Sequence, residues 1–137
     1  MKARFAYDTE LDPPAPVIPV RVSGPTGDAA MMLPMLVDTG ADCTLLPVSI
    51  VRQLGLPQVD TLRIIGVGDV ARSATTHVAV IELGRLRVVA KVAAFVEEAI
   101  LGRDVLNQAV VTLDGPGLAM TVNDRSRAGT RRRRRST

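Results

Sequence analysis

Apolar and polar residues alternate along most of this chain with a period of two. In residues 17–22, three apolar side chains at even positions alternate with Pro19 and Arg21. In residues 85–94, every even position is leucine, valine or alanine, and three of the five odd positions are arginine or lysine. A period of two is typical of strands with one buried face, because successive side chains of a strand point to opposite sides. The pattern therefore predicts a mainly β protein.

The remaining elements are short. Further strands are predicted at Met31–Val37, Thr61–Ile65 and Thr75–Leu83, and a final hairpin is predicted from Val110–Leu113 and Leu118–Val122. A short helix is predicted over Pro47–Leu54, because proline suits the first turn of a helix and Gly55 follows its end. A second helical stretch is predicted at Val105–Gln108.

The two halves of the chain share one plan. Residues 17–23 resemble residues 78–84, which lie 61 positions later, and Gly40-Ala41-Asp42 resembles Gly102-Arg103-Asp104, which lies 62 positions later. Matching similarities in the same order indicate an internal duplication. We therefore predict an all-β domain, internally duplicated, with one or two short helices.

Composition narrows the possible kinds of site. A chain of 137 residues has room for one domain. Cys43 and His77 are the single cysteine and the single histidine, which leaves little basis for a disulfide, a metal site or a Ser-His or Cys-His nucleophile. We expect no metal or cofactor, a structural or surface role for His77, and for Cys43 a packing or pocket-lining role rather than a reactive thiol.

No apolar run approaches the ~18 residues that span a bilayer, and residues 1–12 carry charge throughout, so a soluble, cytoplasmic protein is expected.

The net charge of +3 comes from the C-terminal end. Seven of the 17 basic residues lie in residues 125–137, which leaves ten basic against 14 acidic residues in the rest of the chain. We predict an extended N-terminal lead-in at 1–16, a single domain at 17–124 and a disordered Arg-rich tail at 125–137. The tail is expected to bind polyanions weakly and salt-sensitively, as an accessory feature. Its basic residues are Arg125, Arg127, Arg131, Arg132, Arg133, Arg134 and Arg135.

Candidate chemistry lies at the end of the strand Met31–Val37, which leads into Asp38-Thr39-Gly40. An apolar strand that delivers an acid to a tight turn is one arrangement for a catalytic carboxylate, with glycine allowing close backbone approach and threonine supplying a hydroxyl. The alternative is an ordinary strand-ending turn in which aspartate and glycine serve only the geometry.

Three segments together resemble the retropepsins, the single-domain aspartic peptidases of retroviruses and their cellular and bacterial relatives. The first is Asp-Thr-Gly-Ala-Asp with Thr-Leu-Leu shortly after it, at residues 38–46. The second, Ile-Gly-Val-Gly at residues 65–68, resembles the glycine-containing flap, and the third is Ile-Leu-Gly-Arg-Asp-Val-Leu at residues 100–106. They occur in the family's order, and the resemblance covers residues 17–122. It implies the acid-protease β-barrel or sandwich.

The resemblance also implies roles for individual residues. Asp38 would be the catalytic carboxylate, and the Thr39 hydroxyl would form a hydrogen bond across a dimer. Arg103 would pair with Asp42 and, with Thr39 and Gly40, support the active-site loop. The substrate would contact Gly40, Ala41, Asp42, Gly66, Val67 and Gly68.

One chain supplies only one such aspartate. Peptide hydrolysis by this route needs one carboxylate to take a proton from water and a second acid to donate one. The second half of the chain offers Ile100-Leu101-Gly102 at the corresponding place, without an acid. We therefore expect a homodimeric aspartic endopeptidase acting on peptides or proteins. The alternative is a non-catalytic peptide-binding or dimerisation module of the same fold, with the Arg-rich tail as a polyanion contact.

Overall fold

The computed structural model describes residues 2–26, 29–65 and 68–124. The all-β prediction is confirmed: this part of the chain contains ten strands and two short helices. In chain order they are β1 (Lys2–Ala6), β2 (Val17–Ser23), β3 (Ala30–Val37), β4 (Leu45–Leu46), α1 (Val48–Leu54), β5 (Gln58–Ile65), β6 (Ala71–Leu83), β7 (Leu86–Ala94), β8 (Ile100–Leu101), α2 (Arg103–Leu106), β9 (Val110–Asp114) and β10 (Ala119–Asn123).

The main sheet has seven strands in the order β2-β3-β8-β4-β7-β6-β5. An additional pairing of β2 with the second half of β6 joins the sheet to itself, so that β2, β3, β8, β4, β7 and β6 form a closed barrel. The first half of β6 extends beyond the barrel and pairs with β5 from Thr61↔Thr75 to Ile65↔Ala71. The β5–β6 hairpin therefore projects from the barrel as a separate two-stranded arm.

The predicted duplication corresponds to an approximate twofold arrangement in the barrel. The repeat-related strands β2 and β6 pair antiparallel, and Arg21 lies opposite Glu82, its counterpart 61 residues later. Likewise β3 pairs in parallel with β8, and β7 pairs in parallel with β4. Each half thus contributes a long hairpin and one short strand, and each short strand inserts beside the long strand of the other half.

The alternation read from the sequence places side chains in the core as expected. Ile18, Val20 and Val22 of β2 are fully buried, and the neighbouring Pro19 and Arg21 are exposed. In β7 the even positions face inward, from the half-buried Leu86 to the fully buried Val92. Branched aliphatic side chains fill this interior, because they pack well on a pleated surface.

A separate three-stranded sheet has the order β1-β10-β9. The segment expected as a lead-in, residues 1–16, thus contains a strand of the folded body, since β1 pairs with β10 from Lys2↔Asn123 to Ala6↔Ala119. The sequence did not predict this pairing for two reasons. The charged residues of β1 made the segment look solvent-exposed, and its partner strand lies more than a hundred positions away. The Arg-rich tail at 125–137 lies outside the described residues.

The helices are short and close to their predicted positions. Helix α1 ends at Gly55, which adopts a left-handed conformation with φ of 60° and terminates the helix through backbone hydrogen bonds. Helix α2 begins at Arg103, two residues earlier than predicted, directly after the extended Gly102. Neither helix in the described ranges has the length and apolar character to cross a bilayer.

Candidate active site

Asp38 stands where β3 leaves the barrel. The preceding Val37 is buried and pairs with Leu101 of β8, and the Asp38 backbone N–H donates to the Leu101 carbonyl at 3.0 Å. The barrel therefore fixes the backbone of Asp38 directly. Its side chain is half-buried, at the boundary between the core and solvent.

The turn after Asp38 orients the carboxylate. The backbone N–H of Gly40 donates to Asp38 Oδ1 at 2.9 Å, and the N–H of Ala41 donates to the Asp38 carbonyl at 3.2 Å. A Cβ atom added at Gly40 would lie 3.2 Å from Asp38 Oδ1, so glycine leaves the carboxylate room at this point. Within the described chain no other hydrogen bond involves the Asp38 side chain, which leaves Oδ2 available to a water molecule or a second carboxyl group.

The topological counterpart of Asp38 in the second half is Phe95. The Phe95 N–H donates to the Leu46 carbonyl at 3.1 Å, just as Asp38 donates to Leu101, so β4 and β8 receive equivalent hydrogen bonds. The expectation that Ile100-Leu101-Gly102 occupies the corresponding place was wrong, because Ile100 and Leu101 form β8 and Gly102 directly precedes α2. Glu97 and Glu98 follow Phe95, but both are exposed, and Glu97 accepts a hydrogen bond from Ser49 at 2.9 Å.

A buried polar network joins α2 to the loop between β3 and β4, residues 38–44, which carries Asp38 and is called the active-site loop. Thr44 is fully buried; its hydroxyl donates to Asp104 Oδ1 at 2.8 Å and accepts from the Gly102 N–H at 3.1 Å. The backbone N–H of Thr44 donates to Asp104 Oδ2 at 3.1 Å, and that of Val105 donates to Asp104 Oδ1 at 2.9 Å. Sequence reasoning assigned no role to Thr44 or Asp104. No local pattern could indicate this contact, because it joins residues 60 positions apart.

Arg103 binds the solvent-exposed side of the same loop. Its guanidinium donates to the Thr39 carbonyl at 2.9 Å and forms an ion pair with Asp42 Oδ1 at 2.5 Å. The Arg103 backbone N–H donates to the Ala41 carbonyl at 2.9 Å. Because the Asp42 side chain is 89% exposed, this ion pair positions the loop more than it stabilises the fold.

Gly102 allows the loop and α2 to approach each other. A Cβ atom at this position would lie 2.7 Å from both the carbonyl carbon and the carbonyl oxygen of Cys43, and 3.0 Å from the Ala41 carbonyl oxygen. Backbone atoms cannot move aside as a flexible side chain can. Residue 102 therefore has to be glycine for the loop to keep this position.

Cys43 lies in the loop between these contacts. Burial raises the pKa of its thiol, and the negative charges of Asp104 and Asp42 raise it further. At neutral pH the side chain is therefore a thiol rather than a thiolate, which agrees with a packing or pocket-lining role.

The predicted flap lies on the β5–β6 hairpin. Gly66 and Val67 lie outside the described residues, and Gly68 is exposed with φ of 85°, a conformation that favours glycine. The structure therefore brings Asp38, Thr39, Gly40, Ala41, Asp42 and Arg103 together in one cluster. Gly68 lies instead in the connection between β5 and β6.

Other titratable candidates lie elsewhere. His77 is 8% exposed and structural: one ring nitrogen bonds the Leu56 carbonyl at 2.9 Å and the other bonds the Thr75 hydroxyl at 2.8 Å. In the described ranges, no group of three or more histidine, cysteine or acidic residues is arranged to hold a metal ion.

Solved structures with the same fold include two proteases. A retropepsin-like aspartic protease from Rickettsia conorii superposes with a TM-score of 0.62 at 15% identity, covering 90% of each chain. The EIAV protease complexed with an inhibitor superposes with a TM-score of 0.57 at 24% identity, covering 75% of this chain and 92% of the viral one. No curated protein sequence matches the chain significantly.

The family comparison covers the active-site loop and its support. The family described as gag-polyprotein putative aspartyl protease matches residues 29–108, more than half of the chain, from the start of β3 to just beyond α2. This match includes Asp38, Arg103 and the Thr44–Asp104 network. The chain therefore belongs to the retropepsin-like aspartic protease family.

Proposed function

We propose that this protein is a homodimeric aspartic endopeptidase in which each subunit supplies one catalytic aspartate, Asp38. The observation that carries the proposal is the placement of Asp38: the barrel holds its backbone, a glycine N–H holds one carboxylate oxygen, and the other oxygen makes no hydrogen bond within the described residues. A reactive carboxylate has to be both fixed and accessible, and this arrangement provides both.

The reaction uses two such carboxyl groups. Two carboxyls about 3 Å apart cannot both ionise, so a pair shares one proton, as in aspartic proteases generally. The ionised member takes a proton from a water molecule, which attacks the peptide carbonyl, while the protonated member donates its proton to the carbonyl oxygen. The C–N bond then breaks as the first carboxyl passes the proton from water to the leaving nitrogen and the second takes a proton back from the diol intermediate. Because the topological counterpart of Asp38 is Phe95, the second carboxyl has to come from another copy of the chain.

The remaining cluster supports this chemistry in the proposal. Thr39 is exposed beside Asp38, where its hydroxyl can bond across a dimer, and Arg103 holds its carbonyl. An extended substrate would lie along the loop, contacting Gly40, Ala41 and Asp42. The β5–β6 hairpin would cover it through Gly66, Val67 and Gly68.

Replacing Asp38 tests the proposal. Asp38→Asn should abolish cleavage of a peptide library while leaving the circular dichroism spectrum and the melting temperature close to wild type, since only the exchangeable proton and the charge are removed. Glu98→Gln is the matched control, because Glu98 is an exposed acid in the topologically equivalent loop. Wild-type turnover by pure Asp38→Asn protein would refute the assignment.

The same assay separates the alternative of a peptide-binding module. If the protein were such a module, the wild-type protein and the Asp38→Asn variant would bind peptides with equal affinity, and neither would produce cleavage fragments. Fragments that depend on Asp38 support the enzyme.

A further inference from the structure

A cleft of about 240 Å³ lies between helix α1 and the paired strands β6 and β7. No residue of the active-site loop lines it, so the cleft is separate from the site that carries Asp38. Liquid water occupies about 30 Å³ per molecule, so this volume holds roughly eight non-hydrogen atoms. The cleft is therefore the size of a small organic molecule.

The inner wall of the cleft is the open end of the barrel core. Thr75 and His77 follow the same alternation in β6 as Ile81, which is fully buried. Thr75 also lies opposite Ala94 of β7, which is buried. The core-facing side of the two strands thus continues into the cleft.

The outer wall is apolar and comes from α1 and the turn that follows it. Val51 and Leu56 are buried, and Val48 is half-buried. These three aliphatic side chains all line the cleft. The hydrocarbon part of a ligand would pack between them and the β6–β7 side.

Arg52 adds a positive charge to this apolar lining. It lies in the last turn of α1, is exposed, and makes no hydrogen bond or ion pair within the described residues. No acidic side chain in those ranges lines the cleft. Both ring nitrogens of His77 are already bonded, one to the Leu56 carbonyl and one to the Thr75 hydroxyl. An apolar cleft with one unpaired guanidinium is complementary to an aliphatic carboxylate.

The cleft adjoins the base of the β5–β6 arm. Strand β6 pairs with β7 from Thr75↔Ala94 onward, whereas residues 71–74 pair only with β5 in the described chain. Thr75 is therefore the residue at which the arm leaves the barrel. A molecule that contacts both α1 and Thr75 would tie the arm to the barrel.

We propose that this cleft binds an aliphatic carboxylate of about six carbons and that the bound acid restrains the β5–β6 arm. The carboxylate pairs with Arg52, and the chain packs against the apolar wall; six carbons and two oxygens match the volume of the cleft. The consequence for catalysis rests on the proposed function, in which the arm covers the substrate. Peptides have to enter and leave beneath the arm, so restraint at its base slows turnover.

Titration of the ¹⁵N-labelled protein with hexanoate, at about pH 6 where the acid is ionised, tests the site. The amide signals of Thr75, His77 and Ala94 should shift. Acetate, which lacks the chain, and hexanol, which lacks the charge, should each cause smaller shifts at the same concentration. Arg52→Gln should weaken hexanoate binding about fivefold, since it removes one partly solvated ion pair. Arg87→Gln, at an exposed arginine of β7, should not weaken it.

A second variant tests the cleft by filling it. Ala94→Leu places a larger side chain in the cleft and should abolish the shifts of Thr75 and His77. Circular dichroism and a thermal melt show whether this variant is folded. Because Arg52 is exposed, Arg52→Gln gives an answer even if Ala94→Leu does not fold.

Hydrogen exchange measures the arm independently of catalysis. At a hexanoate concentration of twice its Kd, amide exchange in residues 61–65 and 71–75 should slow about threefold, because the arm opens only from the unliganded protein. Exchange in β9 and β10, which belong to the other sheet, is the internal control. At the same concentration kcat for a peptide substrate should fall about twofold or more.

The outcomes separate the cleft from the enzyme. Shifts that depend on Arg52, together with slower exchange in the arm, support the proposal. Unchanged signals, or binding that Arg52→Gln and a folded Ala94→Leu leave intact, overturn the site, and binding without slower exchange overturns the restraint of the arm. A protein that binds hexanoate as expected but cleaves no peptide in its absence counts against the proposed function and leaves the cleft standing. Cleavage that bound hexanoate does not slow contradicts the effect on turnover and leaves the proposed function standing.

Discussion

At the scale of single residues, backbone clearance shapes the candidate active site. The loop carrying Asp38 passes so close to Gly102 that one additional carbon would contact the Cys43 backbone at 2.7 Å. Contacts as close as this require the backbone to move. The glycine in the Ile-Leu-Gly-Arg-Asp segment is therefore explained by packing between two loops, and its own backbone is extended, with φ of −95°.

Gly102→Ala should destabilise the protein by roughly 1–3 kcal/mol and reduce peptide cleavage, because the active-site loop has to move away from α2. Gly115→Ala is the control, since a Cβ atom at that position meets nothing within 4 Å. Urea unfolding of both variants checks the difference. Equal stabilities would show that the loop adapts without cost.

The Cys43 thiol should react slowly with iodoacetamide near neutral pH and faster as the pH rises, because burial and the charges of Asp104 and Asp42 raise its pKa. Asp42→Asn removes one of those charges, which lowers the pKa, so at a fixed mildly alkaline pH it should speed labelling. Since the folded-state pKa lies above that of the unfolded chain, stability should decline as the pH rises above the unfolded value. Labelling rates followed by mass spectrometry test the order. Slower labelling of Asp42→Asn would contradict it.

At the scale of elements, the site is made where two short strands cross between the halves of the barrel. Strands β4 and β8 pair antiparallel with each other at Leu45↔Ile100, and each pairs in parallel with the long strand of the other half. The loop after β3 and the helix after β8 are thereby brought together. The Thr44–Asp104 network then joins the loop to the helix. Three of its hydrogen bonds connect residues about 60 positions apart, and the fourth lies within α2.

Thr44→Val should destabilise the fold by about 1–3 kcal/mol, because the Gly102 N–H and an Asp104 oxygen lose the hydroxyl that each of them bonds. Valine is close to threonine in shape, so the change tests the hydrogen bonds rather than the packing. Thr44→Ser retains the hydroxyl and should lose less stability. Denaturant melts of the two variants give the comparison. If valine were as stable as wild type, the network would not hold the loop to α2.

At the scale of the whole molecule, charge is divided between the folded body and its C-terminal end. Residues 125–137 contain seven arginines and no acid, whereas the remainder of the chain has an excess of acidic residues. Attraction to phosphate or sulfate groups is therefore expected from the tail and not from the barrel.

Deleting residues 125–137 should weaken retention on heparin and shift elution to lower salt, while cleavage of neutral peptides changes little. The physical reason is that the deletion removes clustered positive charge and nothing from the Asp38 loop. A salt gradient on heparin and a peptide assay, run on both proteins, provide the measurements. Unchanged elution would exclude the tail as the polyanion contact.

Local patterns in the sequence were enough to predict most strands and to indicate Asp38 as the candidate catalytic residue. The alternation in residues 17–22 and 85–94 predicted which side chains are buried, because side-chain direction in a strand depends only on the parity of the position. The order of Asp38-Thr39-Gly40 and the Ile100–Leu106 segment indicated the family. Those features are determined within a few residues along the chain.

The tertiary structure decided which distant residues meet. Pairing of β1 with β10, equivalence of Asp38 with Phe95, and the contact of Thr44 with Asp104 all depend on strand register across the barrel. Register follows from the simultaneous packing of both halves, and a change of one residue would reverse every side chain of a strand. Local alternation is compatible with several registers, so the sequence by itself determined the strands and the catalytic candidate, whereas only the assembled barrel determined the surroundings of Asp38.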